Sequence, residues 1–222
     1  VTARRLAERG VKVAIFDMGE AGEAVAAEIG SLFHRVDVNS DADVTAGFEA
    51  ARAAHGQERI LVNCAGIAPA AKTTSRGAPH DMATFEKVIA VNLVGTFRCT
   101  AHAATGMSAL APATADGERG VIVSTASVAA FDGQVGQVAY AASKGGVAAM
   151  TLPVARDLSS HGIRVMTIAP GLFETPMLKG LPQEVQDSLG RQVPFPQRLG
   201  KAGEYARLVE AICENEMLNG ET

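Results

Sequence analysis

Residues 120–144 read GVIVSTASVAAFDGQVGQVAYAASK. The opening apolar run, with β-branched residues from Val121 to Val123, has the character of a buried strand that delivers Ser127 at its carboxyl end. A glycine-bearing loop follows, and the alanine-rich stretch after it predicts a helix presenting Tyr140 and Lys144. Positions four apart share a helix face, so the Lys144 ammonium falls beside the Tyr140 phenol. A cation there favours the phenolate, the form that can take a proton near neutral pH. Ser127 is the third partner, its hydroxyl placed to hold a substrate oxygen against that phenol. A lone Tyr-x-x-x-Lys is most often a solvated helix face, but these two residues are embedded in Ala, Ser and Gly (AYAASKGGVAAM) instead of a charged pattern.

Working outward, 222 residues suffice for one domain, 1–222, with a substantial core, and 47% hydrophobic with 20% charged residues is ordinary globular composition. A net charge of −4 argues against a general nucleic-acid or anionic-membrane binder. The longest apolar stretches are broken by Asp132, Lys144 and Arg156, so no membrane span is expected, and no signal-peptide pattern opens the chain. Cys64, Cys99 and Cys213 form no CxxC and have no histidine at metal-ligand spacing, so the expectation is no metal and three reduced thiols in a cytoplasm-like compartment. The five histidines form no cluster.

Strand and helix patterns alternate along the chain. VTARRLAER predicts the last turns of a helix stopped by Gly10, VKVAIFD a strand ending at Asp17, and residues 20–29 a helix. A strand over SLFHRVDV, a helix over 41–55 and a strand over RILVNCAGIA follow. A long helical region over 81–109 is capped by Asp81 and contains Asn92. Beyond the Tyr140 helix, expected to about 161, come the strand IRVMTIAP, a Pro- and Gly-rich segment to Pro196 and a last helix over 201–215. This alternation predicts an α/β fold, a parallel sheet covered by helices on both faces.

The order and spacing of Ser127, Tyr140 and Lys144 resemble the catalytic centre of the short-chain dehydrogenase/reductase family, and the resemblance extends over essentially all 222 residues. It implies a Rossmann-like, doubly wound three-layer α/β/α fold. Asn92 matches the family's helix asparagine, implying a water-linked proton route to the lysine. Asp17, at the end of the second strand of that pattern, can accept both hydroxyls of an adenosine ribose and would repel a 2′-phosphate, which selects NAD over NADP. Asp37 with Val38 resembles the adenine-edge contact, with a plain helix cap as the alternative for Asp37. NCAG at 63–66 matches the family's NNAG with Cys64 replacing the second asparagine; Ala65 and Gly66 let backbone and cofactor approach closely, and Cys64 is expected to be a small buried residue under the cofactor. Pro170 and Gly171 match the turn facing the nicotinamide, with Phe173 and Thr175 meeting its carboxamide.

The runs ERGVIVSTASVAAFDGQVGQVAYAASKGGVAAMTLPVARDL, APGLFETPML and VPFPQRLG, with the insertion AKTTSRGAPHD at 71–81, resemble a subgroup of that family. Its members interconvert L-3-hydroxyacyl-CoA and 3-ketoacyl-CoA and act on several secondary alcohols. Gln134 and Gln137 are then candidate substrate contacts, and residues 172–197, with Phe173, Met177, Leu178, Leu181 and Phe195, a mobile substrate lid. A homotetramer is implied, with Ala141, Gly145 and Ala149 allowing close helix approach. The family pattern carries a first strand with a TGxxxGxG loop before Val1 and a last strand after Thr222, so the chain is expected to be truncated at both ends, and the segment that would carry a mitochondrial targeting peptide lies outside it. Two alternatives stay open: a dehydrogenase of another secondary alcohol or a steroid, and a non-catalytic dinucleotide-fold scaffold keeping the site as a relic. Turnover separates them.

Overall fold

The computed structural model describes residues 1–174 and 182–222. Helix α1 (Thr2–Glu8) stops at Gly10, whose φ of 81° lies in the left-handed region that glycine tolerates. Strand β1 (Ala14–Asp17), helix α2 (Glu20–Glu28), strand β2 (Leu32–Arg35), helix α3 (Asp41–His55) and strand β3 (Ile60–Asn63) follow in the expected alternation. The insertion at 71–81 folds as a two-stranded hairpin of β4 (Thr74–Ser75) and β5 (Ala78–Pro79). Its turn holds Arg76 and Gly77 at φ 52° and 78°, the positive pair that a two-residue hairpin turn needs.

Asp81 caps α4 (Met82–Ile89), accepting from Ala83 N at 3.3 Å and Thr84 N at 3.0 Å. The long helix expected over 81–109 is real but interrupted: a π-turn, Ala90–Gly95, separates α4 from α5 (Thr96–Ser108). Strand β6 (Gly120–Thr125) leads through a 3-10 turn at Val128–Ala130 to α6 (Val138–Leu158). Strand β7 (Ile163–Ile168), helix α7 (Gln183–Arg191) and helix α8 (Ala202–Glu214) complete the order. Helix α7 stands within the Pro- and Gly-rich segment that runs to Pro196, for which the sequence pattern names no element.

The core strands are all parallel, but they form two pieces, β2–β1 and β3–β6–β7, not one continuous ladder. Among the described residues no strand pairs with the second edge of β1 or of β3. A shared core joins the pieces nonetheless. Phe16 of β1 and Leu61 of β3 pack against the same buried group, which includes Val36, Phe48, Met107 and Ile122. Along β6 the faces alternate: Ile122 enters that group with α5 and α6, while Val121 and Val123 meet Val209 and Ile212 of α8. The result is three layers. The tail runs beside β7, with Gly220 N donating to Val165 O at 2.8 Å and Thr167 N to Glu221 O at 2.9 Å.

Candidate active site

Ser127 follows β6 in extended conformation, φ −167°, and its Oγ accepts from Ala129 N at 3.1 Å. The bond starts the 3-10 turn and leaves the hydroxyl proton for another acceptor. Tyr140 is half-buried in the first turn of α6, and Lys144, one turn on, is only 4% exposed. The ammonium lies 5.8 Å from the centroid of the Tyr140 ring, as the four-residue spacing requires. It also donates to Thr125 O at 2.6 Å, a partner that no sequence pattern announced. Burial lowers the Lys144 pKa from 10.5 to about 8. Ser127 and Tyr140 make no hydrogen bond to each other among the described residues, so both hydroxyls can turn to one substrate oxygen.

Asn92 is fully buried in the π-turn. Its Oδ1 accepts from Ile67 N at 2.8 Å, and its Nδ2 donates to Ile67 O at 2.9 Å and to Ser143 Oγ at 3.0 Å. Ser143 Oγ in turn donates to Tyr140 O at 2.7 Å. The asparagine therefore clamps the loop after β3 onto the helix that carries Tyr140 and Lys144. Its backbone carbonyl accepts from Thr96 Oγ1 at 2.7 Å. Sequence reading missed Ser143, and its position immediately before Lys144 is the only local sign of it.

The residues expected around a dinucleotide come from the carboxyl ends of the parallel strands, where such ligands bind in open α/β sheets. Asp17 ends β1, is exposed, and accepts from Gly19 N at 2.9 Å through one carboxylate oxygen. Asp37 does not cap α3: Ser40 does, accepting from Asp43 N at 3.1 Å, while Asp37 Oδ1 accepts from Asn39 N at 2.9 Å. Val38 abuts Gly95, where an added Cβ would stand 2.6 Å from Val38 Cγ2. Cys64, expected to be a small buried residue under the cofactor, is exposed: among the described residues no strand lies along the outer edge of β3, and the Cys64 side chain approaches Thr125 Oγ1 at 3.7 Å. Ala65 and Gly66 are exposed as well. A Cβ on Gly66 would stand 3.5 Å from Lys144 Nζ and 3.3 Å from Asn92 Oδ1, so glycine keeps the approach to the lysine open.

Pro170 O accepts from Val128 N at 2.9 Å, tying the turn after β7 to the one after β6. Phe173 pairs with Gly200, with its ring against the glycine. Gln137 Oε1 accepts from Gln134 N at 2.9 Å, so part of the Gln137 side chain is taken up in shaping the loop. Ala141 and Gly145 face their own chain: a Cβ on Gly133 would come 3.1 Å from Ala141 Cβ, and one on Gly145 3.8 Å from Ala130 O. Thr175, Met177, Leu178 and Leu181 lie outside the described residues, and with them the centre of the expected lid. An open cavity of about 320 Å³ between α7 and the 197–199 segment, lined by Gln186, Asp187, Arg191 and Arg198, includes none of Ser127, Tyr140 and Lys144.

A parallel α/β sheet ending in a serine, with a tyrosine and a buried lysine one turn apart on the next helix, defines a class, and the chain belongs to the short chain dehydrogenase family, whose model matches residues 1–186. Among particular proteins it is similar to 3-hydroxyacyl-CoA dehydrogenase type-2 of Drosophila melanogaster, 52% identical over 99% of this chain and 88% of the relative. The Homo sapiens protein of the same name is 51% identical over 99% of this chain and 86% of its own length. The crystal structure of 3-hydroxyacyl-CoA dehydrogenase type-2 from Mycobacterium avium superposes with a TM-score of 0.94 at 40% identity, covering 99% of this chain and 86% of that one.

Proposed function

We propose that this chain interconverts L-3-hydroxyacyl-CoA and 3-ketoacyl-CoA with NAD. One observation carries the chemistry: a buried ammonium, Lys144, held at 2.6 Å by Thr125 O and one helical turn from the Tyr140 phenol. The substrate class rests on the names of the relatives, which share about half of their residues with this chain. The cofactor residues fit their ligand. Asp17 presents a carboxylate with one oxygen still unclaimed at the end of β1, and Gly66 leaves the space over Lys144 that a side chain would fill.

In the oxidative direction Tyr140, as phenolate, takes the hydroxyl proton of the substrate. Ser127 donates to the same oxygen and fixes it. Lys144 stabilises the phenolate and binds the nicotinamide ribose, and Asn92 supports the exit of the proton through the lysine. When bound, NAD supplies the acceptor for the hydride that leaves the substrate carbon. The chain's own contribution is placement and electrostatics. Asp17 binds the adenosine ribose and, by repelling a 2′-phosphate, selects NAD over NADP. Asp37 and Val38 are assigned to the adenine, Cys64, Ala65 and Gly66 to close backbone approach, and Pro170, Phe173 and Thr175 to the nicotinamide. Gln134 and Gln137 are assigned to the substrate, and the same reading carries a homotetramer, which sedimentation at micromolar concentration tests.

The test is NADH oxidation in the presence of acetoacetyl-CoA, with calorimetric titration of NAD alongside it. Consumption of both reactants is expected. A folded chain that binds NAD without turning over would redirect the proposal to another secondary alcohol or a steroid. One that neither binds nor turns over would favour the scaffold.

A further inference from the structure

We infer that Tyr205 is a positioning residue of this site: its phenol, acting through the Thr125 hydroxyl, holds the end of β6 where the Thr125 carbonyl meets Lys144 and Ser127 follows two residues on. The inference rests on the roles proposed for Lys144 and Ser127, and it gives them a support from the opposite face of the sheet.

Thr125 is the last residue of β6 and alternates with Val121 and Val123, so its side chain points to the α8 layer. Thr125 Oγ1 donates to Asn63 O at 2.7 Å, a carbonyl that can only accept. The 2.6 Å contact between Thr125 Oγ1 and Tyr205 Oη is therefore donated by the phenol. Burial raises the Tyr205 pKa and keeps that proton in place, against the smaller opposing effect of the Thr125 contact. On the other side, Thr125 O accepts from Lys144 Nζ at 2.6 Å. One residue is thus gripped from both layers, by α8 through its side chain and by α6 through its carbonyl. The chain beyond it is pinned in the same direction, with Ala126 N donating to Ile168 O at 2.8 Å and Val128 N to Pro170 O at 2.9 Å. A tyrosine that only packed its ring against Val121 and Val123 would need no hydroxyl, so the hydroxyl is the part to remove.

Tyr205→Phe keeps the ring and deletes the donor. Hydrogen exchange on the whole unliganded chain, read at the amides of Ala126, Val128 and Ala129, is expected to quicken about fivefold, the factor that one neutral hydrogen bond supplies, with the amides of α8 unchanged. In turnover, kcat should fall by about the same factor while KM for NAD stays constant. Thr125→Val, which also removes the bond to Asn63 O, should lose at least as much, and adding Tyr205→Phe to it should cause no further loss. Unchanged exchange at 126–129, or losses that add in the double variant, would overturn the inference. The exchange measurement needs no substrate: failure of the parent chain to act on acetoacetyl-CoA removes the substrate assignment, and the role of Tyr205 is still decided by exchange.

Discussion

Lys144 keeps an amine where water hardly reaches, and the consequence is a stability that depends on pH. Between about pH 8, its folded pKa, and 10.5, its ordinary value, the unfolded chain holds a proton that the folded chain has released. The Lys144 contribution to folding stability therefore rises with pH across that window, by at most about 1.4 kcal/mol per pH unit for one proton, while the buried thiols of Cys99 and Cys213, raised to about 11, contribute with the opposite sign above pH 9. Urea unfolding of the parent and of Lys144→Met at pH 8 and pH 10 isolates the lysine, since the thiols are common to both: the stability of the parent relative to the variant should increase between the two pH values. Turnover should run the opposite way, since the lysine loses across that window the charge that the proposed mechanism uses beside the Tyr140 hydroxyl. Tyr140→Phe, which leaves the fold intact, should lower kcat by about 10³-fold, the scale of a lost general acid/base. At the cofactor end, Asp17→Ala should weaken NAD by about 10- to 100-fold, as expected for charge-assisted bonds, and narrow or invert its advantage over NADP. Calorimetric titration of the two dinucleotides checks this without any substrate.

At the scale of elements, what could be read from sequence was whatever repeats or spaces itself along one segment. The Tyr140 and Lys144 pair is a single helical turn, and Asp81 announces its helix by capping chemistry alone. The π-turn at Ala90–Gly95 carries no such signal. It exists because Asn92 must face Ile67 and Ser143 at once, a demand made by elements distant in sequence. The bond between Thr125 and Tyr205 spans 80 residues and has no periodicity to betray it. The exposure of Cys64 is likewise a matter of what packs along β3 and over the residue that follows it, and not of the cysteine's own character. The π-turn also makes a prediction. Gly95→Ala would drive a Cβ to 2.6 Å from Val38 Cγ2 and 3.3 Å from Val38 O, so both side chain and backbone must yield. The cost should be about 1–3 kcal/mol in urea unfolding, typical of overpacking. Displacement of Val38 should also raise KM for NAD with little change in kcat.

At the scale of the whole molecule, contacts other than strand pairing link β1 and β2 to the half that carries the active site. The shared core of Phe16, Leu61 and Ile122 is one such element. A second is ionic. Arg5 of α1, the helix that feeds β1, and Arg9, the residue that ends it, both donate to the Glu210 carboxylate on α8, the helix that packs on β6 and β7. The arrangement places one acid between two cations, and it has a definite sign. Burial by itself would raise the Glu210 pKa, but the two guanidiniums outweigh it and hold the carboxyl below its ordinary 4.5. The stabilisation is thus complete above that ordinary value and is lost as pH falls through the lower, folded one. Glu210→Gln keeps the size and removes the charge, leaving two arginines side by side. Its melting temperature should fall relative to the parent at pH 7, and the gap should narrow as the pH is lowered beneath 4.5 and the parent's own carboxylate becomes protonated. If α1 and α8 also hold Asp17 in line with Lys144, NAD titrations of the variant at 25 °C, well below its melting point, should show weaker affinity than the parent. A variant that melts earlier yet binds NAD with the parent's affinity would confine the ion pair to stability and take it out of the alignment of Asp17 with Lys144.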